Sequence, residues 1–156
     1  MRRRPVKQSP HLDRIEDTMH GIGTLGTFMG SDPRKIYEIL TDDHDVICSL
    51  DLTHEIVAVR LDAITRAAKE EFGDAIEIEN RYEVRADEGR GSVPCPWRHP
   101  GGLFRKSRIE LKDLQSGRRL VWTDLSIHLI RAHGFYQGRG SPYRLEPRVI
   151  KSVLFS

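Results

Sequence analysis

VPCPWRHPGGLFRKSRIELKDLQSGRRLVWTDLSIHLIRAHGF, residues 93–135, holds one of the two cysteines, three of the seven histidines and both tryptophans of the 156-residue chain. Cys95 and His99 open it with three residues between them, and His128 and His133 close it with four between them. Pro94, Pro96 and Pro100 flank the first pair and Gly101-Gly102 follow, a turn able to aim two side chains at one ion. Thiolate sulfur and imidazole nitrogen are donors that zinc takes. Between the pairs, Leu103 to Leu111 alternates apolar and basic residues, DLQSGR at Asp113–Arg118 is a turn with Gly117 supplying positive φ, and Leu120–Trp122 returns. Residues 103–122 therefore read as a β-hairpin. Thr123 is an N-cap, Asp124 suits the first turn, and Gly134 stops the helix after His133. Five positions on an ideal helix turn about 500°, which leaves His128 and His133 about 140° apart, wider than one face. A gap of four still lies within the three to five of helix-borne zinc pairs, whose last turn can tighten.

Knuckle, hairpin and helix in that order, with two ligands at each end, resemble the treble-clef class of zinc finger over residues 93–134, and more loosely Cys/His fingers in general. The resemblance implies a structural zinc ion on Cys95, His99, His128 and His133. The chain departs from that pattern in three places. The first pair is Cys and His where most such fingers have two cysteines, 28 residues separate the pairs, and the helix histidines lie beyond the first turn. Without metal, His128 would be a satisfied histidine on the apolar side of the helix, His133 a partner of the helix dipole, and Cys95 a small buried hydrophobe.

Working outward, charge divides the chain. Residues 1–94 carry 13 basic and 19 acidic side chains, a net −6, and residues 95–156 carry 12 and 4, a net +8. A basic half suits an anionic partner, nucleic acid or an acidic protein; it equally suits mutual complementation of the two halves. Arg105, Lys106, Arg108, Arg118 and Arg119 on the hairpin, with Arg139 and Arg144 on the aromatic loop FYQGRGSPYRLEP, are the expected nucleic-acid contacts. The bland alternative has that loop packing its aromatics over the finger helix. No run of 18 apolar residues is present, and the basic start MRRRPVKQSPHLDR has no apolar stretch behind it, so neither a membrane span nor a secretory signal is read. Cys48 and Cys95, in unlike contexts, suggest a reducing cytoplasm and no disulfide.

The leading half reads as helical. Residues 1–30 are expected to be a flexible basic and glycine-rich segment with a short helix near Leu12–Met19, and 31–156 one domain. Gly21, Gly23 and Gly26 match G-x-G-x-x-G, but DRIEDTMH before them is not a strand, so a dinucleotide site is not read. Ser31 or Asp32 with Pro33 starts a helix that fades in the acidic run Asp42–Asp45, and Cys48 follows as a small buried thiol. Thr53 caps the longest helix, to about Phe72. Ala75 to Arg85 alternates as a strand with a turn or bulge at Asn80-Arg81, ADEGRGS is a loop, and Ser141-Pro142 and Glu146-Pro147 each start a turn of helix.

The architecture expected is α+β, a helical N-terminal half packed on a small antiparallel sheet. The function expected first is a small zinc-binding module with structural zinc, binding nucleic acid through its basic half. The alternatives are a metal-free interaction domain and a zinc-dependent hydrolase with three protein ligands and Asp124 or Glu110 as acid–base group. No H-E-x-x-H or H-x-E pattern supports the hydrolase.

Overall fold

A computed structural model describes residues 8–19, 28–71 and 73–156. Among the described residues, five helices and a four-stranded antiparallel sheet, strand order β1-β2-β3-β4, make an α+β fold. The helices are α1 (Pro10–Met19), α2 (Ile36–Ser49), α3 (His54–Lys69), α4 (Asp124–His133) and α5 (Pro147–Leu154). The strands are β1 (Ile76–Ile78), β2 (Tyr82–Pro94), β3 (Leu103–Asp113) and β4 (Arg119–Thr123). No helix among the described residues is long and apolar enough to cross a membrane.

The sheet is a meander because each turn has the chemistry for it. The Ile78–Arg81 turn has positive φ at both central residues, Glu79 (56°) and Asn80 (53°), the mirror-image turn that matches strand twist. It falls at the turn or bulge expected at Asn80-Arg81 and separates β1 from β2. At the β3–β4 turn the buried Asp113 carboxylate accepts from Gln115 N–H, the Ser116 hydroxyl and the Arg81 guanidinium, and that guanidinium holds its carboxyl far below the usual range. The expected loop at 86–92 is instead strand. β2 runs on to Pro94 opposite β3, with a register shift between Glu88 and Ser92, because the partner strand pairs backbone that has no alternating pattern of its own.

Two apolar clusters hold the layers. Tyr82, Val84, Ala86, Ile109, Leu111, Leu120 and Trp122 face Val57, Leu61 and Ile64 of α3 and Ile150 and Val153 of α5. Trp122 Nε1–H donates to Thr65 Oγ1 at 2.8 Å, so the indole is buried without an orphaned donor. The second cluster joins Ile15 and Met19 of α1, Phe28, Met29, Ile36 and Ile39 to Leu125 and Leu129 of α4, with Val93, Cys95 and Phe135. Residues before Ser31 are thus part of the core. Gly21, Gly23 and Gly26, and Arg2, Arg3 and Arg4, lie outside the described residues.

Helix α2 differs most from expectation. It starts at Ile36, since Asp32 is committed to Arg34 (2.7 Å) and to the Arg139 N–H (3.0 Å) instead of capping it. Glu16 of α1 accepts the Ile36 N–H at 2.8 Å in its place. It also continues through the acidic run, because Asp43 is not solvated: Arg144 meets it at 2.9 and 3.0 Å. That continuation carries Cys48 to the exposed face of the helix, where a buried thiol was expected. Ser141-Pro142 forms a turn and no helix, while Glu146-Pro147 starts α5.

Candidate metal centre

Cys95 and His99 lie in the link between β2 and β3. Cys95 N–H donates to Gly102 O (2.7 Å), Arg98 N–H to Cys95 O (3.0 Å) and Gly102 N–H to His99 O (3.0 Å), so the turn is closed by its own backbone. A Cβ on Gly102 would stand 3.0 Å from the His99 ring, which explains glycine there. The amides of Trp97 and Arg98 point at Cys95 Sγ. Burial pushes the thiol pKa up and those amide donors oppose it.

His128 and His133 are the fifth and last residues of α4, whose ends are as the sequence predicts. Thr123 and Ser126 cap each other's backbone N–H groups, and Gly134 ends the helix at φ 62°. The 140° phase is overcome by side-chain direction. The two rings meet edge-on, with centroids 5.2 Å apart. Trp97 of the knuckle stacks flat on His133, centroids 4.1 Å apart and 7° from parallel, and Phe104 of β3 lies 4.6 Å from His128. These two aromatics hold the imidazoles, and no spacing rule pointed to them.

The ligand atoms of Cys95, His99, His128 and His133 all lie within 4.8 Å of one another. Cys95 Sγ is 3.4 Å from His133 Nε2, and His99 Nε2 is 2.9 Å from His128 Nε2. Ligand bonds of about 2.0–2.3 Å imply edges of about 3.3–3.6 Å in a tetrahedral zinc site; the Cys95–His133 edge already matches, and the widest separation, within 4.8 Å, would have to close on such an ion. His99 Nδ1–H donates to Pro100 O at 3.0 Å, which leaves Nε2 for a metal. Burial first, and then His128 and His99, push His133 down to about 4; burial and His99 lower His128. At neutral pH these two rings are therefore uncharged, the form that binds metal. The second ligand pair is not in the first turn of the helix, a placement unlike that of the treble clef.

The basic side chains are distributed unevenly. Arg105 meets Glu88 at 3.3 Å, Arg108 and Arg119 share Glu110 at 3.1 and 2.6 Å, and Arg118 reaches Ser152 at 3.5 Å. Lys106 and Arg139 are exposed. Arg144 is 6% exposed, held by Asp43 and Glu146. Phe135 and Tyr136 are buried, so the aromatic loop is packed, and the backbone of Gly138 lies against that of Met29. Asp124 is bound to Lys69 at 2.6 Å. Comparison with family models, curated proteins and solved structures gives no match to this chain.

Proposed function

We propose that the protein is a small zinc-binding module in which Cys95, His99, His128 and His133 hold one structural zinc ion. The observation that carries this reading is the convergence of one sulfur and three imidazole nitrogens within 4.8 Å, drawn from two segments far apart in the chain. Four protein donors leave no position for a reacting water, the arrangement of a structural site. The ion supplies a cross-link, tying the β2–β3 knuckle to α4. The hydrolytic alternative is less well served, because Asp124 and Glu110 are both committed to cations. Elemental analysis of the full chain purified without added zinc is the test. One zinc per chain, and a melting temperature that falls with a strong chelator, are expected; protein free of transition metal leaves the metal-free interaction domain standing.

The second reading, a nucleic-acid surface, has one observation in its favour. Arg105, Lys106 and Arg108 line a cavity of about 260 Å³ together with Phe28 and Tyr143, a mixture of cations and rings that suits phosphates and bases. Arg118, Arg119 and Arg139 would extend it, while Arg144 supports the loop from within. Binding to single-stranded oligonucleotides should weaken steeply with salt; none at low salt removes this reading and leaves the zinc reading intact.

A further inference from the structure

Away from the metal centre, four side chains stand in a line. Cys48 and His44 lie one turn apart on α2, with Sγ 3.4 Å from His44 Nε2. The other nitrogen of that ring, Nδ1, is 3.2 Å from Nε2 of His54 on α3, and His54 Nδ1 is 2.9 Å from the Tyr136 hydroxyl. Cys48 is exposed and Tyr136 is 1% exposed, so the line runs from solvent into the core. Each ring uses both nitrogens on different neighbours. One ion cannot replace those bonds, and among the described residues the Cys95 set is the converging group of metal ligands. What such a line can do is receive and orient a proton.

The thiolate is the nucleophilic form of cysteine, and an imidazole within hydrogen-bond reach, itself oriented by a third group, is what generates it. His44 Nε2 can take the Cys48 proton. The imidazolium then keeps Nδ1–H on His54 Nε2, and His54 Nδ1–H donates to the Tyr136 oxygen, so every N–H in the line has an acceptor. Tyr37, Thr41 and His44 precede Cys48 on one face of α2. The first three line a cavity of about 470 Å³ with His54, Arg131, His133 and Gly134, so it borders the Cys95 cluster while Cys48 stands at its edge along α2, and its size is within the range that holds small ligands. The charged groups nearby are accounted for: Asp43 on α2 is held by Arg144, and Arg131 on α4 meets Glu55 of α3 at 3.3 Å. Cys95 is buried in the other cluster, so a disulfide has no partner here. Acyl transfer needs no co-reactant beyond water.

We propose that Cys48 is a nucleophilic thiol that takes up an acyl group from an activated ester or thioester, with His44 as its base and His54 and Tyr136 as positioning residues. In the first step the thiol proton passes to His44 Nε2 as sulfur bonds to the carbonyl carbon. The bond from that carbon to the leaving oxygen or sulfur breaks, and the departing alcohol or thiol takes the proton from His44. The product is S-acyl Cys48, which water returns to the free thiol and a carboxylic acid.

The test uses the full chain as purified, p-nitrophenyl acetate, and peptide mass mapping. One equivalent of nitrophenolate should be released as one acetyl group appears on the Cys48 peptide. Cys48→Ser should lose the label, and His44→Gln should slow labelling by about a hundredfold, in the range of general-base contributions. Both side chains are exposed, so the melting temperature of each variant should match that of the parent. Tyr136→Phe should change the pH–rate profile of labelling, which a purely structural hydroxyl would not. Labelling of Cys48 at the same rate in the parent and in His44→Gln overturns the proposal, as does label confined to lysines or Cys95.

Discussion

Among the described residues, two clusters each join one cysteine to histidines, and they differ in geometry. Around Cys95, one thiol and three imidazoles point at a common centre and their ligand atoms stay within 4.8 Å. Around Cys48, one thiol, two imidazoles and a phenol pass hydrogen bonds from one to the next, from 3.4 to 2.9 Å. A converging set repels protons and favours a cation, since burial and mutual repulsion keep the rings neutral. In the linear set each ring nitrogen has its own partner, although burial and then His44 lower His54 as well. Cysteine and histidine counts cannot separate these outcomes; the direction of each ring does.

The largest effect that would sharpen this contrast is in a pair of cysteine variants. Cys95→Ala should lose the bound metal and lower stability by several kcal/mol, about the scale on which structural zinc contributes to folding, whereas Cys48→Ala should keep one equivalent and melt as the parent does. Equal metal content in both, read by elemental analysis, would break the comparison. Acid comes next. In metal-stripped protein, His133 titrates at about 4 when folded and near its ordinary 6.5 when unfolded. Its neutral form therefore contributes stability that is complete above 6.5 and is lost as pH falls toward 4. Melts between pH 7 and pH 4.5 should show that loss in the stripped parent and a smaller one in stripped His133→Gln, where His128 and His54 still have lowered pKa values. The smallest effect concerns the residue that touches both clusters. Gly134 follows the ligand His133, has φ 62°, and a Cβ on it would come 2.9 Å from His54 Nε2. Gly134→Ala should cost about 1–2 kcal/mol for the left-handed backbone, leave the metal bound, and alter labelling of Cys48. Unchanged labelling would mean the two clusters are independent.

Much of the candidate metal centre could be read from the chain alone. Cys95, His99, His128 and His133 were identifiable from residue type and spacing, and α4 from Thr123, Asp124 and Gly134. Trp97 and Phe104 were visible as aromatics, but nothing local says that one stacks on His133 and the other on His128. The second cluster was missed because helix α2 was expected to fade at Asp42–Asp45. Had it been continued, the four-residue spacing of His44 and Cys48 would have placed them on one face. What continues it is Arg144, 101 residues from Asp43.

Caps, turns and amphipathic periodicity depend on residues within about four positions of one another, and these the sequence by itself determined: the helix ends at Thr53, Thr123 and Gly134, the Gly117 turn, and the two ligand pairs. The tertiary structure decided everything that needed a distant partner: strand pairing at 86–92, the burial of Asp43, the meeting of the knuckle with α4 across 29 positions between His99 and His128, and the exposure of Cys48. Local propensity acts through neighbours along the chain. A buried charge, an unpatterned strand or a convergent ligand set gains its stability only when the partner arrives, and the sequence records the partner without recording the contact.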